Sequence, residues 1–133
     1  QQGGHEFNFM NISTVLHRLA RAGDRSSRLI MAVHELMPLL NVKVFEVDWH
    51  TRSAGVSSVA LWALDQLGVH PSEAAGIQMR EGLCRYLHAC KPEEVTNGST
   101  ALHNLGLLNS QFLLTMCSLV RASSATYSCV ALA

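Results

Sequence analysis

The chain has 133 residues, with ten Lys or Arg against ten Asp or Glu, 48% apolar residues and only 15% charged ones. That length suits one compact domain with a core of its own, and the composition excludes a disordered polymer. A formal net charge of +0 argues against a strongly basic nucleic-acid arm or a polybasic membrane anchor, and so few charges suggest that much of the surface faces partners.

Three ungapped segments resemble one another: residues 13–23, 58–68 and 99–109, beginning at Ser13, Ser58 and Ser99 with offsets of 45 and 41 residues. Each places two Leu three apart, Leu16 with Leu19, Leu61 with Leu64 and Leu102 with Leu105, which is one helical stripe. A ring follows the first Leu each time: His17, Trp62, His103. Gly23, Gly68 and Asn109 fall just past the last apolar position. These residue types tolerate the left-handed conformation that ends a helix. A second helix is expected after each stop. The first is capped by Asp24 or Ser26 and runs through Leu29, Val33 and Met37 until Pro38 turns the chain out of helix. The next opens at Pro71, Ser72 and Glu73 and runs through Ile77, Leu83, Leu87 and Cys90, with Gly76 and Gly82 marking close helix contact. The third opens at Asn109 or Ser110 and carries Phe112, Met116 and Val120.

The predicted fold is all-α. One helical hairpin cannot bury both of its faces, so three in a row imply an α-solenoid with a continuous core. The repeats are expected at about 7–40, 53–90 and 92–122, within one helical-repeat domain spanning 1–133. Residues 41–55 interrupt the pattern. There Val42 and Val44, then Phe45, Val47 and Trp49, alternate with other residues in a strand-like way, which predicts an extended linker or short extra turn. Residues 126–133 echo the start of the repeat and read as a terminal cap or helix remnant.

The string Ser13-Thr14-Val15-Leu16-His17-Arg18-Leu19-Ala20-Arg21-Ala22-Gly23, and Leu61-Trp62-Ala63-Leu64 followed by Leu67-Gly68, resemble the repeat of octotricopeptide-repeat, heptatricopeptide-repeat and FAST-kinase-like proteins. The first repeat is similar to the alveolate variant. The resemblance covers about residues 7–120. It implies RNA binding in mitochondria, or alternatively plastids, in transcript stabilisation, processing or translation, or as an extra ribosomal subunit. Many members also carry a C-terminal RAP domain, which is not expected within these residues.

A reader of RNA needs cations for phosphates and polar or aromatic groups on one surface. Residues 1–45 carry a net +2, residues 46–94 a net −3 and residues 95–133 a net +1. Arg18, Arg21, Arg25 and Arg28 step by three or four and are expected to share a face across the first turn. With Lys43, Asn11 and Thr14 they are the candidate RNA-binding residues. Asn97 and Thr100 are their counterparts in the third repeat, and helix capping competes for Asn11 and Asn97. His17, Trp62 and His103 are candidate stacking platforms, against which stands simple packing between hairpins.

Four cysteines, Cys84, Cys90, Cys117 and Cys129, are too few and scattered for a disulfide scaffold and imply free thiols. Cys84 and His88 stand four apart and could begin a metal site, but no CxxC accompanies them, and no metal or other cofactor is expected. Glu93 and Glu94 follow Pro92 as first-turn helix residues. No phosphate-binding glycine loop or nucleophile elbow is present, so an enzyme is not expected. The longest aliphatic run, residues 29–33, falls far short of the roughly 20 residues that span a membrane. Residues 1–4 suggest neither a signal nor a transit peptide. Lacking an initiator Met, the chain reads as a piece of a longer protein. The expected role is a non-enzymatic RNA-binding protein of an organellar ribonucleoprotein, with rRNA or mRNA and other proteins as partners, for instance as an rRNA-stabilising subunit of a mitochondrial ribosome. The alternative is a protein–protein scaffold of a large organellar complex that touches no RNA.

Overall fold

Helix α1 (Phe9–Ala22) begins where the Asn8 side chain accepts the Asn11 amide at 2.9 Å and Asn11 accepts the Asn8 amide at 3.0 Å. This reciprocal cap satisfies two donors that a helix start otherwise leaves unmade. Phe9, Ile12, Leu16 and Ala20 bury one stripe, and Gly23 ends the helix at φ 76°. These positions belong to a computed structural model that describes residues 7–122, and within those residues every regular element is helical. The echo at 126–133 lies outside the described residues.

Ser26 caps α2 (Ser27–Lys43) by accepting the Leu29 amide. The helix does not stop at Pro38, contrary to expectation. It continues to Lys43 and tightens into a 3-10 turn at Val44–Glu46. The reason is the buried stripe Val33, Met37, Leu40 and Val44, which keeps helical spacing straight through the proline. Burying each such side chain is worth about 1.5–3 kcal/mol, enough together to outweigh the roughly 3 kcal/mol cost of an internal proline. The alternation at 42–49 marks a helix end and not a strand, with Val42 and Phe45 57% and 52% exposed, and the short extra turn expected in this stretch is the 3-10 turn at Val44–Glu46. Only residues 47–50 connect to the next helix.

Helix α3 (Thr51–Leu67) buries residues on nearly every side, among them Ala54, Gly55, Ser57, Ser58, Ala60, Leu61, Ala63 and Leu64. It packs against α1, against α4 (Glu73–Arg85) and against α5 (Pro92–Asn104). Two serine hydroxyls fix it in place. Ser57 donates to the Met79 carbonyl at 3.0 Å and Ser58 to the Glu94 carbonyl at 2.6 Å. Helix α4 also touches α2 and α6 (Ser110–Ala122). Leu16, Leu61 and Leu102, the matched leucines of the three repeats, are each fully buried.

The second stop, Gly68, adopts φ 70° as expected. Val69 N–H returns to the Leu64 carbonyl and Gly68 N–H to Asp65, the paired closure that a left-handed cap permits. The third stop differs. Gly106, at φ 76°, makes the same two bonds from Leu107 to Leu102 and from Gly106 to His103. Asn109 instead starts α6, accepting the Phe112 amide. Helix α5 thus ends nearly a turn earlier than the aligned sequence suggests. Helix α4 likewise stops at Arg85, and a 3-10 turn, Leu87–Ala89, follows.

Gly76 and Gly82 mark close approach, as their sequence positions suggest. A Cβ on Gly76 would stand 2.7 Å from Leu107 Cδ1, and one on Gly82 would run into the Trp49 ring. Trp49 also meets Phe9, ring centroids 6.2 Å apart, and so pins the connection before α3 between the first two hairpins. Gly82→Val should lower stability by about 1–3 kcal/mol through overpacking, seen as an earlier urea midpoint. Pro38→Ala, at an exposed position, should raise it by about 1–3 kcal/mol. An unchanged midpoint in either variant contradicts the packing described.

Candidate nucleic-acid interface

Helices α1, α3 and α5 bring Thr14, His17 and Arg21, then Val59 and Trp62, then Glu94 and Asn97 to one surface. Two adjoining depressions mark it, with Val59 and Glu94 lining both. The larger, about 390 Å³, is lined by Thr14, Arg52, Gly55 and Lys91 among others. The smaller, about 160 Å³, has Ser58, Val59 and Trp62 from α3, His17 and Arg21 from α1, and Glu94 and Asn97 from α5.

The aromatic side of the smaller depression comes from two equivalent repeat positions. His17 and Trp62 meet with ring centroids 5.5 Å apart and planes inclined by 55°, the tilted arrangement aromatic pairs favour. His103, the third ring of the series, is exposed in the last turn of α5 and makes no ring contact among the described residues. Opposite the pair, Glu94 is held from two directions. Its Oε1 accepts the Lys91 amide at 2.9 Å, completing a first-turn cap, and its carbonyl accepts Ser58. Its Oε2 lies over Gly55, where a Cβ would come within 2.8 Å. Oε2 has no hydrogen-bond partner among the described residues.

The four arginines are not carried by one helix. Helix α1 stops at Ala22, so the three- and four-residue stepping loses its meaning beyond it. Arg18 projects from the exposed side of α1, Arg21 borders the groove, and Arg28 lies in the first turn of α2. None of these three has a hydrogen-bond or ion-pair partner among the described residues. Arg25 sits in the turn and donates to the carbonyls of Asp24, Ala20 and Gln66 at 2.9, 3.3 and 3.4 Å. A guanidinium there neutralises the negative ends of α1 and α3. Lys43 pairs with Glu46 at 3.3 Å and is mostly covered. Asn11 serves the cap of α1, and Thr14 donates to the Met10 carbonyl while lining the larger depression. Asn97 is exposed at the groove and caps nothing, and Thr100 is exposed.

Arg52, Lys91 and Glu94 enter the surface without having been singled out as site residues. Arg52 comes from α3, and Lys91 with Glu94 from the start of α5; only the cap-like spacing of Lys91 and Glu94 is a local signal. Cys84 and His88 do not share a helix, because α4 ends between them. Among the described residues no three His, Cys, Asp or Glu side chains gather as metal ligands, and no helix is long and apolar enough to cross a membrane.

Comparisons with protein-family models, with curated proteins and with solved structures give no match to this chain.

Beside the groove, burial and then the Glu94 carboxylate push the Cys90 thiol up to about 11. The thiolate is the reactive form. At pH 8 Cys90 should therefore alkylate roughly 100-fold more slowly than an ordinary thiol of pKa near 8.5–9. Its rate should climb steeply between pH 9 and 11, as measured by peptide mapping after iodoacetamide. Rapid labelling at pH 8 would contradict this placement.

Proposed function

We propose that the chain is a non-enzymatic RNA-binding protein, built as a short α-solenoid of three stacked helical hairpins corresponding to the repeats at about 7–40, 53–90 and 92–122. The first helix of each hairpin, α1, α3 and α5, supplies the binding surface. The observation that carries this reading is the meeting of His17 and Trp62, one repeat position used twice, beside Arg21, which has no ion-pair partner among the described residues. Single-stranded RNA is commonly held by aromatic surfaces for bases and cations for the backbone. Arg18 and Arg21 on α1, with Arg52 and Lys91 at the larger depression, are the phosphate contacts in this reading. Arg25 and Lys43 act structurally. The resemblance to octotricopeptide-repeat proteins supports an organellar setting, mitochondrial or alternatively plastid, within a ribonucleoprotein such as a mitochondrial ribosome.

A second reading, a protein scaffold without RNA contact, is favoured by the solvent side of α2 and its following turn. There Met31, Val42 and Phe45 are each more than half exposed. Apolar rows of this kind suit a protein partner.

Titrating salt against the affinity for single-stranded RNA separates the two readings. The RNA reading expects affinity to fall steeply with salt, and Arg18→Gln with Arg21→Gln to lower the logarithmic salt slope by about 2. No binding at low salt leaves the scaffold reading. Binding unchanged in the double variant removes this face from the interface.

A further inference from the structure

The larger groove depression carries one group that a phosphate site does not need. We propose that it holds a ribose-phosphate unit of single-stranded RNA, with Glu94 accepting the ribose 2′-hydroxyl, so that the groove selects RNA over DNA. The inference rests on the RNA-binding reading above.

The depression, about 390 Å³, opens between the first turns of α3 and α5. Arg52 and Lys91 line it and form no ion pair among the described residues. The Glu94 carboxylate lies in the same depression. Its Oε1 accepts the Lys91 amide at 2.9 Å, and its Oε2 lies over Gly55 with no hydrogen-bond partner among the described residues. Capping α5 therefore uses one carboxylate oxygen and leaves the second over.

An ionised carboxylate can only accept hydrogen bonds. Set beside two cations, it repels the phosphate that they attract, unless the ligand brings a donor close to that phosphate. The sugar-phosphate backbone of DNA has none, since all of its oxygens are acceptors. RNA adds one hydroxyl per residue, on the carbon next to the 3′ phosphate ester. That hydroxyl is the group by which a protein tells the two apart. Its O–H meets Oε2 while the neighbouring phosphate meets Arg52 or Lys91. Val56, Val59 and Ala89 give the depression an apolar wall for the C–H edge of the sugar.

Glu94 is preorganised for this role. Oε1 is committed to the Lys91 amide and the backbone carbonyl to Ser58, so the side chain has little freedom left to lose on binding. Gly55 lets Oε2 lie against α3, where a Cβ would stand 2.8 Å away.

The test compares four fluorescein-labelled decamers that share the base uracil: RNA, DNA, 2′-fluoro and 2′-O-methyl. The last two keep the sugar pucker of RNA and lack the hydroxyl donor. RNA is expected to bind at least about tenfold more tightly than the other three, the low end for a hydrogen bond to a charged group. Glu94→Gln retains an oxygen for the Lys91 amide and so keeps the cap, and it removes the charge that repels phosphate. It should raise the affinity for DNA and narrow the RNA preference to about threefold or less. Arg52→Gln should lower the logarithmic salt slope for RNA by about 1. Equal binding of RNA and DNA, a 2′-O-methyl decamer that binds as tightly as RNA, a preference that survives Glu94→Gln, or a salt slope unchanged by Arg52→Gln overturns the proposal while leaving RNA binding intact. No binding of any decamer at low salt removes the RNA reading and this inference together.

Discussion

The arrangement depends on the small side chains of α3. Ala54, Gly55, Ser57, Ser58, Ala60 and Ala63 are all buried, and their size lets three helices approach one axis closely. The absence of bulk is used again from the other side, where a Cβ on Gly98 would stand 2.7 Å from Leu83 Cδ2 and 3.1 Å from Ser58 Oγ. Larger residues at these places would splay α1 and α5 away from α3. His17 would then no longer reach Trp62, nor would Glu94 lie over Gly55. The same crowding makes Leu64 fully buried whereas its counterparts, Leu19 in α1 and Leu105 just past the end of α5, are only partly covered. A middle helix has neighbours on both flanks, whereas an outer one has a neighbour on one.

Much of the local structure could be read directly from the residues. The Leu stripes, the caps at Ser26 and Ser72 and the left-handed stops at Gly23 and Gly68 follow from short-range rules that hold whatever surrounds them. Where reading failed, a longer-range term prevailed. Pro38 was overruled by a buried stripe running through it. Asn109 and Gly106 are both able to take a left-handed backbone, and only the return of Leu107 N–H to Leu102 decided between them. The arginine series keeps helical spacing across Gly23, yet a left-handed stop breaks the periodicity on which a shared face depends. The groove was the least legible feature, since His17 and Asn97 on its walls lie far apart in the chain and no local pattern joins them.

The electrostatics of this surface differ from those of a basic RNA-binding patch. Two of the five cations expected from the sequence to meet RNA, Arg25 and Lys43, are occupied with carbonyls or a carboxylate, and Glu94 brings negative charge to the groove. Long-range attraction to a polyanion is correspondingly small. Discrimination would have to come from shape, stacking and directional hydrogen bonds at short range, where a covered site strengthens each bond. The neutral composition of the whole chain is then compatible with contact to RNA, provided that the contact is selective and the number of phosphates held is low.

The two serines of α3 have a mechanical consequence. Being adjacent in sequence, Ser57 and Ser58 tie the helix to two different neighbours, α4 and α5, so axial sliding of either neighbour would break a buried bond. Helix α1 has no such tether: among the described residues no side-chain hydrogen bond joins it to α3, and Arg25 reaches Gln66 only from the turn beyond. The seams of α3 with α4 and α5 are thus registered by directional bonds, whereas the seam with α1 is held by side-chain shape, through the buried stripe Phe9, Ile12, Leu16 and Ala20 and the contact of His17 with Trp62.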